Sequence, residues 1–397
     1  MTEFTIATFN VKNLIGPDQE YYRFERYTPE EYAWKKDWLV EQILSMDADV
    51  IAFQEVFERQ ALVDVIKAVN ARAEALNADV IPDPKQRYAK KAIFRKLSFK
   101  PYPIANIHWV GNATDGEPGH RRPGLALVSR LPVMSDVETI QDLPKPIDIR
   151  FPELGGGGEA GYFTLSRMSR PILKARIKAG KRVITLFNIH FKSKLGEFIR
   201  PDGAAFAPEA DLTNYDPLGR ALGELRAATR RMAEAAVLRG LILDELDAGN
   251  PVMAMGDFND SEYAVSSAIV AGERPFKNYS WIRRHDAAHE SDRYKKDENI
   301  AITAAVQAAR LFSAEKLFIR KSLRDMVYTS AFGGVFESID QILLSAHFNP
   351  DNPSRIGDLE YLTVLNDHLT DGSHPEAPYN KLASDHGQLV AHISLRD

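Results

Sequence analysis

The side chains in this sequence that could do chemistry recur at one kind of place, the point where an apolar, strand-like run gives way to a turn. The clearest case is residues 251–260, where Val252, Met253, Ala254 and Met255 run into Gly256, Asp257, Phe258 and Asn259. A strand end of this kind sets a carboxylate and a carboxamide on alternate positions, so both can face one crevice while Phe258 packs beneath them. Taken alone, the stretch serves equally well as a tight turn with Asp260 or Ser261 capping the helix that follows. The rest of the chain changes that balance. Asn10 closes the strand pattern 4–9, Glu55 follows the apolar run 50–53, and His190 ends the run 183–189. Asp340 lies inside the run 338–344, and Asp385 with His386 precedes the last strand pattern, 388–393.

Independent turn residues would not so regularly be carboxylate, carboxamide or imidazole. A carboxylate inside an apolar run must be paired, and His386 is the natural mate for Asp340. Glu55 ends a strand that is apolar on both faces, where burial soon demands a counter-charge, which makes it a candidate metal ligand. His190 is followed by Lys192 and Lys194, and Arg170 enters the preceding strand just before Pro171, a combination suited to an anion. The chemistry that uses such a set is phosphoester hydrolysis assisted by a hard cation. Carboxylate oxygens hold Mg2+ or Mn2+, the ion neutralises phosphate charge, and a carboxylate with an imidazole handles the protons of water and leaving group. Without the cation, a site this acidic would repel phosphate.

The elements that must position these residues read as alternating strands and helices. Thr28, Pro29 and Glu31 form a capping-box signature, after which Trp34, Trp38, Leu39 and Ile43 supply an apolar helix face. Leu62, Val65, Ile66, Val69, Ala73 and Leu76 give a second helix a core face. A long helical pattern from Leu222 to Leu246 stops at Gly249-Asn250-Pro251, and a further helix is expected near 302–318. Residues 131–162, rich in Pro and Gly, read as a mobile insertion.

The chain has 397 residues and no cysteine, which excludes disulfides and thiolate metal sites. Its formal net charge of -5 gives no global attraction for polyanions, so nucleic-acid binding must come from local patches. The basic run from Lys85 to Lys100, interleaved with Tyr88, Phe94 and Phe99, is the expected backbone contact, against the plainer reading of a solvated helix face. No segment is apolar enough to span a membrane, and the start lacks a basic region followed by an apolar stretch, which points to the cytoplasm.

As an ordered set, Phe9-Asn10, Gln54-Glu55, 124–129, Asn188-Ile189-His190, Gly256-Asp257-Phe258-Asn259, Ile339-Asp340 and Ser384-Asp385-His386 resemble the endonuclease/exonuclease/phosphatase superfamily, which includes deoxyribonuclease I and exonuclease III. The resemblance implies a deoxyribonuclease I-like α/β (α+β) fold: a four-layer sandwich of two mixed β-sheets flanked by helices, with the site at one rim. It implies one domain over 1–397, with insertions near 85–105, 131–165, 195–220 and 262–336. Carried over by position, Glu55 is the principal metal ligand with Asn10 and Asp385 beside it, Asp257 orients or deprotonates water, and Asn259 holds the phosphate. Asp340 fixes the tautomer of His386, His190 is a second phosphate-contacting histidine, and Asn10, Arg170 and Lys192 complete the phosphate contacts. The sequence departs from abasic-site endonucleases at Lys12, where some have an aspartate, and at Arg121, Arg122 and Pro123, where they have a tyrosine. The expectation is a Mg2+- or Mn2+-dependent phosphodiesterase, foremost a nuclease cleaving DNA or RNA. Hydrolysis of inositol phosphates, sphingomyelin or another small phosphoester is the alternative, and a catalytically silent binding module the third reading.

Overall fold

The computed structural model describes residues 2–22, 25–78, 98–112, 121–134, 137–150, 162–196, 217–272, 294–319, 327–371 and 380–396. In chain order, β1 (Thr2–Leu14) leads through α1 (Pro29–Met46) to β2 (Val50–Val56), which lies parallel to β1. α2 (Arg59–Ala78), β3 (Ile107–Val110), β4 (Gly124–Ser129), β5 (Glu138–Arg150) and β6 (Tyr162–Ala179) follow. β7 (Arg182–His190) then leads through α3 (Pro217–Asp247) to β8 (Val252–Asp257), a second parallel pair. The last third carries α4 (Val265–Ala271), α5 (Lys296–Ala308), β9 (Leu311–Ser313) and α6 (Ala314–Ile319). After these come a hairpin of β10 (Ser330–Phe332) and β11 (Val335–Glu337), then β12 (Asp340–Ser345), β13 (Gly357–Leu365) and β14 (Gln388–Leu395).

One sheet has the order β13-β14-β1-β2-β4-β3 and the other β5-β6-β7-β8-β12-β9. Both are mixed, because each holds one parallel pair among antiparallel neighbours. The inner faces meet in an apolar layer that includes Ile6, Val50, Leu125 and Ala391 from one sheet and Ala175, Leu186, Met253 and Leu344 from the other. α1 and α2 cover the outer face of the first sheet, and α3 that of the second. These are the expected four layers, built from alternating side chains that leave neither face of a central strand in water.

The capping box of α1 forms as expected: Thr28 Oγ1 accepts from Glu31 N (3.2 Å), and the Glu31 carboxylate accepts from Thr28 N (3.0 Å). Of its expected apolar face, Leu39 and Ile43 are buried and Trp38 packs against the core, and Trp34 departs from the expectation. Trp34 is 40% exposed and stacks on Trp38, while Lys35 is fully buried beside Leu39 and Ile43. The expected helix near 302–318 is broken by β9, which pairs with β12 and extends the second sheet instead. Of residues 131–162, expected to be a mobile insertion, 138–150 form β5, the edge strand of a long hairpin with β6, while 135–136 and 151–161 lie outside the described residues. Its prolines are tolerated because an edge strand has one side free of ladder bonds, and the register slips between Asp142 and Ile147, where Pro144 and Pro146 fall. No helix among the described residues is long and apolar enough to cross a membrane.

Candidate active site at the strand rim

Topology alone brings the chemically capable residues together. The C-terminal ends of the parallel strands β1, β2, β7 and β8 fall at one rim, and the antiparallel neighbours β12 and β14 begin there. In register, His190 lies opposite Asp257, and Asp257 opposite Asp340. Beneath the rim a buried polar chain ties the sheets: Thr8 Oγ1 donates to Gln54 Oε1 (3.2 Å), and Gln54 Nε2 donates to Asn188 Oδ1 (2.7 Å). Asn188 Nδ2 in turn donates to the carbonyls of Phe53 (3.0 Å) and Ala126 (2.9 Å).

Several left-handed residues that are not glycine surround the site: Lys12, Asn13, Glu55 and Asn259, with φ of 52°, 59°, 62° and 52°. Such backbone is disfavoured for L side chains and persists where neighbours hold it, a pattern concentrated at functional sites. Here Lys12 N donates to Asn10 Oδ1 (3.0 Å), Asn13 N to Glu55 Oε2 (3.1 Å) and Asn259 N to Asp257 Oδ1 (2.7 Å). Gly256, with φ +144°, is required for a different reason, since a Cβ there would stand 2.0 Å from the Ile189 carbonyl oxygen.

Asp257 is the centre of the arrangement. Its Oδ2 accepts from Asn10 Nδ2 at 3.0 Å and from Asn259 Nδ2 at 3.3 Å, and it lies 3.3 Å from His190 Nε2 and 3.8 Å from His386 Nε2. The other ring nitrogen of His386, Nδ1, is 2.8 Å from Asp340 Oδ2, the pairing the sequence demanded. Burial pushes the Asp257 carboxyl up to about 7, reinforced by Asp340 and Glu55 and opposed by His386 and the Asn259 amide. Burial would lower the His386 imidazole, but the charges of Asp340 and Asp257 outweigh it and hold His386 well above the usual histidine range. His190 goes the other way: burial, with the charges of Arg170 and His386, holds it neutral. Its Nδ1 is buried without a hydrogen-bond partner.

Asn10, expected beside the metal and the phosphate, presents its amide nitrogen to the site, reaching Glu55 Oε1 (3.4 Å), Asp257 and His386 Nε2 (3.3 Å). With its Oδ1 engaged by Lys12 N, the side chain acts as a donor, which suits a carboxylate or a phosphate oxygen. Asp385 is more than half exposed and pairs with Lys12 Nζ at 3.6 Å. Partial desolvation raises its carboxyl, and His386 and Lys12 outweigh that and keep it below the usual range. The oxygens of Glu55 and Asp385 are hard donors of the kind Mg2+ or Mn2+ takes, so the donor chemistry fits a divalent ion. Asp257, Asp340 and His386 also bring ligand atoms within 4.8 Å of one another, a second grouping able to hold a cation.

Arg170 NH1 donates to the Phe191 carbonyl (3.2 Å), and Arg170 acts electrostatically on both His190 and Tyr22. Lys192 Nζ donates to the Leu195 carbonyl (2.8 Å), and its side chain lines a small cavity with Arg226 and Arg230. Lys85 through Lys96 lie outside the described residues. Lys100 lines a cavity of about 580 Å3 with Glu3, Asp49 and His392, at the opposite end of β1, β2 and β14 from Asn10.

Sequence reasoning missed several positioning residues. Ser384 Oγ donates to the Asn10 carbonyl (2.6 Å) and accepts from His386 N (3.0 Å), tying the last loop to β1. Thr329 Oγ1 accepts from both Ile339 N and Asp340 N. Glu234 on α3, fully buried, accepts from Ser169 N (2.7 Å) and Lys192 N (2.8 Å), which ties β6 next to Arg170 to the chain just past His190. Lys35 donates to the Leu382 carbonyl (3.1 Å), and burial, with the Lys12 charge, lowers it to about 7 against the pull of Glu55 and Asp385. The one signal for Lys35 was a charge at an apolar-face position, one turn before Leu39 on α1.

A two-sheet sandwich with a carboxylate-imidazole dyad and further acidic groups at one rim defines a class of phosphoester-processing proteins. The chain belongs to the Endonuclease/Exonuclease/phosphatase family, whose model matches residues 7–386. Members of that family are phosphoesterases and generally use divalent metals. Among solved structures, the chain is similar to a family member from Bacteroides thetaiotaomicron, at 12% identity, 100% coverage of this chain, 99% of the other and a TM-score of 0.48. It is also similar to the human Nocturnin catalytic domain with bound sulfate (13%, 100%, 94%, 0.45) and to a mannosyl-6-phosphatase from B. thetaiotaomicron (12%, 99%, 100%, 0.45). No curated protein matches the chain in sequence.

Proposed function

We propose that this chain is a divalent-metal-dependent phosphodiesterase acting on nucleic acid, with the 1–397 sequence working as one domain. The observation that carries the reading is Asp257 Oδ2, within reach of Asn10 Nδ2 and His190 Nε2 and 3.8 Å from a His386 whose other nitrogen is held by Asp340. A carboxylate whose pKa is brought near neutrality is matched to taking a proton from water, and an imidazole held protonated is matched to giving one up. Asp257 accepts the proton of the attacking water, the new oxygen bond forms at phosphorus, and the bond to the leaving oxygen breaks as its charge is met by His386. Asn10, His190, Asn259 and Arg170 donate to the non-bridging oxygens, and Lys192 stands near them. Glu55 and Asp385 would hold the Mg2+ or Mn2+ ion, which would supply neutralisation of the phosphate charge.

A nucleic-acid substrate is supported by the cations beside the rim. Arg122 lies against Tyr22, and Lys192, just past β7, lines one small cavity with Arg226 and Arg230 of α3, the last of which pairs with Glu234 (3.4 Å). These can follow a phosphate backbone past the site. The test is turnover with Mg2+ or Mn2+ on bis-p-nitrophenyl phosphate, p-nitrophenyl phosphate, single- and double-stranded DNA and RNA, comparing the parent with Asp257→Asn and His386→Ala. Cleavage of diesters and polynucleotides that both variants lose is the expected result. Turnover of monoesters alone would move the substrate to a small phosphoester, and undiminished activity in both variants would overturn the site.

A further inference from the structure

We propose that the Lys12 ammonium is a built-in cation of this site. It takes the side of Asp385 that a second metal ion would otherwise need, leaves Glu55 and the other Asp385 oxygen to anchor a single divalent ion, and meets the phosphoryl oxygens of the substrate. The inference rests on the reading that Glu55 and Asp385 hold a divalent ion.

β1 continues past Asn10 through two consecutive left-handed residues, Lys12 and Asn13, and its register with β2 shifts there. Neither is glycine, so the turn must be held, and site side chains hold it: Lys12 N on Asn10 Oδ1 and Asn13 N on Glu55 Oε2. The bend turns the Lys12 side chain inward, leaving it 17% exposed with Nζ 3.6 Å from Asp385 Oδ2. An ion pair made only for stability contributes little when one partner is largely in water, and it needs no strained backbone. The surroundings explain the positive charge better. Glu55, Asp257, Asp340 and Asp385 stand against His386 and Lys12, with the charges of Lys35 and Arg170 also felt there, and the ammonium is the cation that meets Asp385 directly. Lysine suits the task because it meets a phosphate as a point charge.

An ammonium this near the ion lowers metal affinity, so removing it should tighten metal binding while weakening substrate binding. The experiment measures Mn2+ binding to the full chain by calorimetry, and by the spin-resonance signal of free Mn2+, for the parent, Lys12→Met, Lys12→Gln, Lys12→Arg, Lys12→Glu and Glu55→Gln. Melting temperatures of all variants are taken alongside. The parent is expected to bind one Mn2+ at this site, Lys12→Met and Lys12→Gln to bind it about tenfold tighter, and Lys12→Arg to behave as the parent. Lys12→Glu, with a carboxylate at that place, should take up a second ion. On bis-p-nitrophenyl phosphate, Lys12→Met should raise KM about tenfold, with Lys12→Arg restoring most of the loss. Parental Mn2+ affinity in both neutral variants, or two ions already bound by the parent at this rim, would overturn the inference. If Glu55→Gln also left Mn2+ binding unchanged, the metal site itself would be misassigned; if Glu55→Gln weakened binding and the neutral variants did not tighten it, only the role of Lys12 would fall.

Discussion

Replacing Asp340 with Asn should separate the chemistry of the dyad from the stability of the fold. The Asp340 carboxylate is fully buried, with Oδ2 2.8 Å from His386 Nδ1 and Oδ1 without a partner. Asn keeps the shape and removes the charge. A unit charge about 4 Å from an imidazolium contributes about 4 kcal/mol at the effective dielectric of a protein interior. Lost from the transition state, that is about three decades in kcat. His386 is held above its usual pKa partly by Asp340, so the limb of the pH profile that needs its proton, lost as pH rises, should move to lower pH in Asp340→Asn. The fold should not suffer in proportion, because the same substitution relieves the repulsion that Asp340 exerts on Asp257. The assay is kcat on bis-p-nitrophenyl phosphate against pH at saturating Mn2+, with urea unfolding in parallel, for Asp340→Asn, His386→Ala and the double variant. The double variant should be little slower than the slower single one, since an imidazole in the wrong tautomer is nearly as ineffective as an absent one. Losses that simply add, or a parental rate in Asp340→Asn, would refute the dyad.

Other expectations follow from the fold. Gly256→Ala drives a Cβ to within 2.0 Å of the Ile189 carbonyl at a φ of +144°, and should cost upwards of about 3 kcal/mol in urea unfolding; a melting curve like the parent's would mean the β7–β8 contact yields easily. Asn188→Leu leaves Gln54 Nε2 and the Phe53 and Ala126 carbonyls each short of a partner between the sheets, a loss of about 1–3 kcal/mol that calorimetric melting will read. Glu315 is buried on α6, and burial, with Glu262 nearby, raises it to about 7 against Ser338 and Lys316. Because the folded state keeps this proton while the unfolded chain loses it near the ordinary glutamate value of 4.5, stability should fall as pH rises from about 4.5 to 7 and then level off. Glu315→Gln should therefore remove a decline of about 3 kcal/mol, visible as a melting temperature above the parent's at pH 8 and equal to it at pH 4.

The sequence made the site legible because its residues are local signals. Each lies where an apolar run ends, and a sandwich with two parallel pairs leaves those ends little choice but to share a rim. Asp340 and His386 could be paired from sequence because a buried carboxylate needs a partner and few were on offer. The supports were not legible. Ser384, Thr329 and Glu234 are ordinary polar residues whose roles depend on backbone amides from distant segments, and no period or spacing marks them. The interior of β5 was hidden by its prolines, which argue against a strand only where both sides are paired. Lys35 was hidden by its charge alone: it stands one turn before Leu39 and two before Ile43, on the face the 3.6-residue period marks as apolar, while Trp34, counted to that face, is 40% exposed.

Lys12 shows why a departure from a family pattern repays a physical reading. By position it stands where some abasic-site endonucleases carry an aspartate, and on that ground alone it reads as a lost ligand. The structure turns its side chain into the site and holds it there through two left-handed residues anchored on Asn10 and Glu55. A residue that had merely lost its function would have no such restraint, because backbone strain persists only where the surroundings over-determine it. The charge reversal and the geometry that retains it therefore belong together. With an ammonium at this position, the proposed site should hold its metal less tightly and offer a fixed positive charge to the phosphoryl group. The net change of two charge units at one position should make this chain's rate depend less steeply on divalent-ion concentration than that of the Lys12→Glu variant.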